Sequence, residues 1–269
     1  MILVVNVVFF KKYNAKIKKD FQDLERSITY PFGPTDRFCI SHGNDYFQFF
    51  HRLGIPYWAA LLDSNQKLCG QLCTILRKVP SNSGNCHKAW YLCDLKKAKQ
   101  SKHTNTLFVL FRALFWRLIW QCQRGYAVSM NPSSSIHPFR SLVKKSVFLP
   151  FISTSQLAIF SCFYEELNKA IPIIKSHRGP TGYLNLEGVK DIVLQKHGKL
   201  PLIHLQFGPL KAKSNFIPLP GYTYMWCSPS TDPMNQALLQ AGFVPTAAAT
   251  IFSFLMKNNP WDWILTSEI

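Results

Sequence analysis

The residues with the most chemistry in reach lie in "DLKKAKQSKHTNTLFVLF", from Asp94 to Phe111. An apolar run ends in Asp-Leu, a basic and polar loop follows, and a very apolar segment begins. Backbone amides at a helix start, with the helix dipole behind them, make a binding site for phosphate. Such loops usually carry glycine, which lets the backbone approach the ligand and take positive φ. This one has none. His103 and Asn105 belong to the non-glycine residues most enriched at positive φ. Thr104 or Asn105 can cap the helix, and Lys99, Lys102 and His103 add charge. Two readings stand: a phosphate cradle with unusual letters, or a basic turn.

Elements must hold this loop in place, and the chain supplies them. "IPYWAALLD", "LCGQLCTILRKV" and "HKAWYLCDLK" read as strands, the first two joined by the polar turn "SNQK". A helix of about 105–122 follows the loop, and "GYAVSMN" (125–131) reads as the next strand. Upstream, "MILVVNVVFFKK" reads as a buried strand, and 14–28 as a helix with Ile17, Phe21, Leu24 and Ile28 on one face. "TYPFGPTDR" reads as a turn, "DRFCIS" as short and extended, and 44–54 as a helix capped by Asn44 or Asp45 and stopped by Gly54. Downstream come a short basic helix near 138–147, the strand "FISTSQLAIFSCF" and a stretch (164–182) that starts helical. A second module of strands follows. Its well-signed helix, "DPMNQALLQAGF", is capped by Asp232 with Pro233 in the first turn and Gly242 at the end. Hairpins mixed with crossovers predict an α/β protein with a mixed sheet. The division falls at 1–165 and 166–269, and strand–turn–helix–strand order at 126–163 recurs at 222–256.

Composition narrows the class. The chain has 269 residues, 47% of them hydrophobic and 14% aromatic, with formal charge +17. That excludes disorder and favours anionic partners. No acidic residue lies between Asp94 and Glu165, an interval holding ten Lys or Arg, read either as a solvated face or as an anion site. The eight cysteines form no CxxC and, with the histidines, no zinc-spaced set, so no metal and a reduced, cytoplasmic protein are expected. The N-terminal run lacks the features of a signal peptide. It and 107–120 are too short to span a bilayer. Helix-turn-helix, zinc-finger and RNP-type motifs are absent, which ranks nucleic acid last among partners.

With these elements on the page, residues 1–165 resemble the GNAT superfamily of acyl-CoA N-acyltransferases. "WAALLDSNQKLCGQLCTIL" is similar to its second and third strands, with Gly70 at a frequent glycine position. "AWYLCDLKKA" is similar to its fourth strand and "GYAVSMNPSSS" to its fifth. The family's loop pattern, Gln/Arg-x-x-Gly-x-Gly/Ala, is matched at Gln100 and departed from at His103 and Asn105. Residues 166–269 resemble a truncated second unit lacking a cofactor loop, with "YTYMWCSPSTDPMNQALLQAGFVPTAAATIFSFL" similar to the last part of the fold.

The resemblance implies direct attack of an amine on acetyl-CoA, or another acyl-CoA, in a ternary complex. That chemistry needs proton removal from the amine, an oxyanion contact and a proton for the leaving thiolate. The backbone amide near Leu95 would supply the oxyanion contact. Lys97, Gln100, Ser101, Lys102, His103, Thr104, Asn105 and Asn131 would hold the cofactor. Asp94 is read as the general base, or as a turn cap or partner of neighbouring lysines. Tyr126 is read as a proton donor, or as a core aromatic with its hydroxyl at the surface. Ser133 to Ser135 are acceptor contacts or a plain turn. His137 beside them makes no triad without an acid, and His204 is a core or sheet histidine. The rival function is a GNAT-fold binding module without catalysis. The acceptor is not legible.

Overall fold

The computed structural model describes residues 6–10, 15–32, 35–99, 101, 105–131, 151–213 and 216–269. In chain order the elements are β1 (Asn6–Phe10), α1 (Ala15–Arg26), β2 (Tyr30–Phe32), β3 (Asp36–Ser41), α2 (Gln48–Leu53), β4 (Ile55–Leu62), β5 (Leu68–Pro80), β6 (Cys86–Lys97), α3 (Thr106–Leu118), β7 (Gly125–Met130) and β8 (Ile152–Phe163). There follow α4 (Tyr164–Arg178), β9 (Gly182–Asn185), β10 (Asp191–Leu194), β11 (Gly198–Leu200), β12 (Leu202–Gln206), β13 (Thr223–Pro229), α5 (Pro233–Gln240), β14 (Ala247–Phe254) and a 3-10 turn, Thr266–Glu268.

Ten strands form one mixed sheet in the order β1-β4-β5-β6-β7-β14-β8-β13-β12-β9, and β11-β10-β3-β2 form a small second sheet. The strand order at the centre of the large sheet is alike on either side of β14 and β8. β6 runs parallel to β7, and β12 parallel to β13. Between these pairs, β14 and β8 lie antiparallel to each other. β14 pairs with β7, and β8 pairs with β13. The last strand of each half therefore lies against the other half. Positions 165 and 166, where the sequence divides, fall inside α4.

Alternation along the strands sorts the core into two faces. Trp58, Ala60, Cys73, Ile75, Tyr126, Leu157 and Ile159 pack with Phe21 of α1, with α2, and with Trp261 and Trp263 near the C-terminus. Ala59, Leu61, Leu72, Ala127 and Phe252 point to the opposite face, under Leu110, Phe111 and Leu114 of α3. On that same face Ala158, Phe160, Tyr224 and Trp226 meet α4 and α5.

Several expectations need correction. β1 is an edge strand, with Val8 partly exposed, because only β4 pairs with it. The "TYPF" turn contains β2, whose backbone pairs with β3 in the small sheet. α2 begins at Gln48, with Phe47 at its N-cap and no side-chain cap, whereas Gly54 ends it as expected. α3 is shorter than expected, ending at Leu118. The basic helix near 138–147 lies outside the described residues. α5 matches its signals: Asp232 accepts from the Met234 amide at 2.8 Å, and Pro233 opens the helix.

Candidate functional site

β6 and β7 run side by side only briefly. Trp90 to Leu92 pair with Gly125 to Ala127. Beyond that, β6 keeps its ladder with β5 and β7 its ladder with β14. A wedge opens between two parallel strands in the middle of the sheet. At its β6 side the register jumps from Cys73↔Cys93 to Gln71↔Lys96, so Asp94 and Leu95 face Leu72 alone. This is a β-bulge, a device that re-aims side chains and ends pairing. Asp94 takes φ +53°, one of three non-glycine residues at positive φ among the described residues.

α3 begins beside the wedge. Its first turn sits on β5 because position 70 is glycine. A Cβ there would lie 2.5 Å from Thr106 Cγ2 and 2.9 Å from the Lys96 carbonyl oxygen. Thr106 is fully buried, and its Oγ1 lies 3.4 Å from Ser101 Oγ. The dipole of a long apolar helix thus points its positive end at the opening. Asn105 occupies the N-cap with φ −103° and no side-chain cap bond, so it neither caps α3 through its side chain nor holds positive φ. Gln100, Lys102, His103 and Thr104 lie outside the described residues. Lys97 is the last residue of β6, opposite Gly70, and Leu95 packs against the α3 core.

Behind the bulge is a buried polar network. The Asp94 carboxylate accepts from Lys96 Nζ on one oxygen, and from Tyr46 Oη and Gln71 Nε2 on the other. Gln71 Nε2 also reaches Tyr46 Oη at 2.5 Å, and Lys96 Nζ lies 5.7 Å above the Tyr46 ring. Lys96 Nζ continues to Glu25 Oε1 at 3.0 Å. Glu25 in turn takes His42 Nδ1 at 2.5 Å on that oxygen and the His42 amide at 3.0 Å on the other. All six side chains are buried. His42 Nε2 is buried and has no hydrogen-bond partner.

These charges set one another's proton affinity. Burial alone would raise the Glu25 carboxyl, but the His42 hydrogen bond and the Lys96 charge outweigh it and hold the group at about 2. Burial pulls Lys96 down, but Asp94 and Glu25 hold it above the ordinary lysine range. Burial, with the Asp94 charge beside it, pushes the Tyr46 hydroxyl well up. Two carboxylates around one ammonium, each also hydrogen-bonded, is the arrangement that lets charge survive burial. His42 and Glu25 form an imidazole–carboxylate pair. With a proton on Nδ1 donated to Glu25, the Nε2 lone pair is left as a proton acceptor.

A second buried cluster lies further along the same face. Arg77 Nη2 donates to Glu268 Oε1 at 2.7 Å, and Arg52 to the Ser267 carbonyl at 3.1 Å. Lys190 Nζ donates to the Ile269 carbonyl and stands 4.7 Å from the Phe49 ring centre. Burial, reinforced by Arg52, pushes the Lys190 ammonium down to about 7.

The structure places the sequence candidates unequally. Asp94 and Leu95 stand at the mouth of the wedge. Tyr126 stands below it, in the paired part, fully buried and stacked 4.9 Å from Tyr91. Its hydroxyl accepts from Arg77 Nη1 at 3.4 Å and is not at the surface, a correction to the sequence reading. Asn131 follows β7 directly, with its side chain engaged across the sheet: Nδ2 donates to Gln156 at 3.1 Å, and Oδ1 accepts from Thr250 at 2.7 Å. Ser133 to Ser135 and His137 lie outside the described residues. His204 is buried in β12, 3.0 Å from Thr266 Oγ1, as a core histidine should be. Glu25, His42, Tyr46 and Gln71 were missed. Glu25 flanks the apolar stripe of α1, where a carboxylate reads as solvated, and no spacing ties it to Lys96.

Comparison with known proteins matches this architecture. No family model matches the chain. An uncharacterized protein of Acanthamoeba polyphaga mimivirus is 23% identical over 245 residues, covering 84% of this chain and 68% of the relative. Saccharomyces cerevisiae N-myristoyltransferase with bound myristoyl-CoA superposes with TM-score 0.55 at 10% identity, over 92% of this chain and 80% of that one. A GCN5-related N-acetyltransferase from Anabaena variabilis superposes with TM-score 0.50 at 10% identity, over 92% and 72%. The chain has the GNAT, or acyl-CoA N-acyltransferase, fold.

Proposed function

We propose that this protein is an N-acyltransferase that moves an acyl group, acetyl in the simplest case, from acyl-CoA to an amine. The observation that carries the reading is the wedge between β6 and β7, with a bulge on one lip and the N-terminus of α3 beside it. In this reading the CoA pyrophosphate lies on the first turn of α3, helped by Ser101, Asn105 and the basic residues Lys97 and Lys102, with Gln100, His103 and Thr104 completing the loop. The pantetheine arm enters the wedge. The Leu95 amide receives the carbonyl oxygen as it gains charge. The amine nitrogen bonds to the thioester carbon, the C–S bond breaks, and the thiolate leaves. One proton departs from the amine.

The bulge residue Asp94 does not suit the role of free base, since three donors occupy its oxygens. We assign proton acceptance to His42, whose Nε2 is unpartnered and whose Nδ1 is held by Glu25. Asp94 then positions the bulge, and with it the Leu95 amide. Residues 166–269 complete the sheet and close the acceptor side.

Calorimetric titration with acetyl-CoA and desulfo-CoA, followed by thiol release in the presence of an amine panel, tests the reading. Binding of both ligands with amine-dependent release of thiol is expected. Absence of binding overturns it. Binding without release for any amine supports the second reading, a CoA-binding module, which the glycine-free loop favours.

A further inference from the structure

The face that carries α3 ends in a patch that the proposed reaction does not use. Arg112, Trp116 and Trp120 are spaced four apart, so they form one stripe on the outside of α3 and its exit. Trp116 is 54% exposed and Trp120 86%. Several side chains on this face of the sheet, beyond the end of α3, are exposed. There Ile55 of β4 is 60% exposed, on the same side as Tyr57, whose hydroxyl reaches Gln121 Oε1 at 3.3 Å. Lys78 of β5 and Lys88 of β6 are direct cross-strand partners, both exposed, on the side of Leu76 and Trp90. The Cys122 thiol, two residues after Trp120, donates to the Lys88 carbonyl at 3.1 Å, which ties the exit of α3 to the lysine strand. Arg124 is exposed next to it.

Two like charges directly opposite on a sheet repel. Among the described residues no carboxylate pairs with Lys78, Lys88, Arg112 or Arg124. The sequence offers none between Asp94 and Glu165. A patch of this kind is stabilised by an anionic partner, and its protruding indole and aliphatic groups define which. Tryptophan favours the headgroup level of a bilayer, and Lys and Arg around it favour anionic lipid. Isoleucine offers no stacking face to a nucleic-acid base. We propose that this end of the protein docks peripherally on an anionic membrane surface, with Trp116, Trp120 and Ile55 entering the headgroup layer and Lys78, Lys88, Arg112 and Arg124 meeting the lipid phosphates and carboxylates.

The test is co-sedimentation of the intact protein with phosphatidylcholine vesicles and with vesicles of phosphatidylcholine and phosphatidylserine. Binding to the anionic vesicles only, reversed by high salt, is expected. Lys78→Gln with Lys88→Gln should lower partitioning about 30-fold, since each lysine near such a surface contributes about 1 kcal/mol and 1.4 kcal/mol is a factor of ten. Trp116→Ala with Trp120→Ala should lower it as well, and relief of the lysine repulsion should not lower the melting temperature. No binding to anionic vesicles, or equal binding by the tryptophan variant, overturns the proposal. So does tighter binding to single-stranded RNA that depends on the lysines and not the tryptophans. A solution dimer that the tryptophan variant abolishes overturns it in favour of a second copy.

Discussion

Replacing Lys96 by methionine removes the one cation between two buried carboxylates at nearly constant volume. Lys96 Nζ lies 3.0 Å from Glu25 Oε1 and is bonded to Asp94 Oδ1, and all three side chains are buried. Breaking a buried pair by deleting one partner costs about 3–5 kcal/mol, because the remaining charge is left uncompensated. For a chain of this size that lowers the melting temperature by roughly 6–10 °C. The pH dependence carries a sign. Without Lys96 the Glu25 carboxyl should lie above the value of about 2 that it holds in the wild type, because one of the interactions that lower it is gone. A depressed carboxyl contributes stability above its unfolded pKa and loses it as pH falls through its folded value. The deficit of the variant should therefore be fully developed at neutrality and shrink as pH falls from 4.5 towards about 2. The triple variant Glu25→Gln, Asp94→Asn, Lys96→Met should recover most of the loss, since neutral groups no longer need the cation. Urea and thermal melts of the three proteins at several pH values give the answer. A Lys96→Met loss under 1 kcal/mol at neutral pH, or one that does not shrink on acidification, would refute the account of the network.

Other outcomes follow from the same contacts. Wild-type stability should fall as pH drops from the ordinary Glu value of 4.5 towards about 2, where Glu25 is held. The depressed carboxyl contributes roughly 3 kcal/mol above that window, readable in acid unfolding and absent in Glu25→Gln. Gly70→Ala should destabilise by about 1–3 kcal/mol through overpacking against Thr106 and the Lys96 carbonyl, and should weaken acetyl-CoA binding further by tilting the first turn of α3. If His42 takes the amine proton, His42→Asn should lower kcat by about 100-fold or more while leaving CoA affinity unchanged. An altered melting point with an unchanged kcat would leave His42 only a packing role.

Local pattern made much of this protein legible. Alternation and length announced β4, β5, β6 and β7, and the Asp232–Pro233 and Gly242 signals announced α5, because strand and cap preferences act over a few residues. The apolar run after residue 105 was legible as a helix packed on the core, and its exposed Arg112–Trp116 face was not. The start of a helix just after the polar loop was legible from the apolar pattern on its far side, although no glycine marked the loop. The tertiary structure alone decided the rest. That β14 inserts between β7 and β8 follows from burying both faces of a shared sheet, a pairing between residues 88 to 129 positions apart that no local period encodes. The bulge at Asp94 arises from the register of β5 against β6. The candidate site arises from it too: Glu25, His42, Tyr46, Gln71, Asp94 and Lys96 come from four separate segments. Each reads as an ordinary polar residue until the fold removes water, and a charge without water must find its counter-charge within a few ångströms.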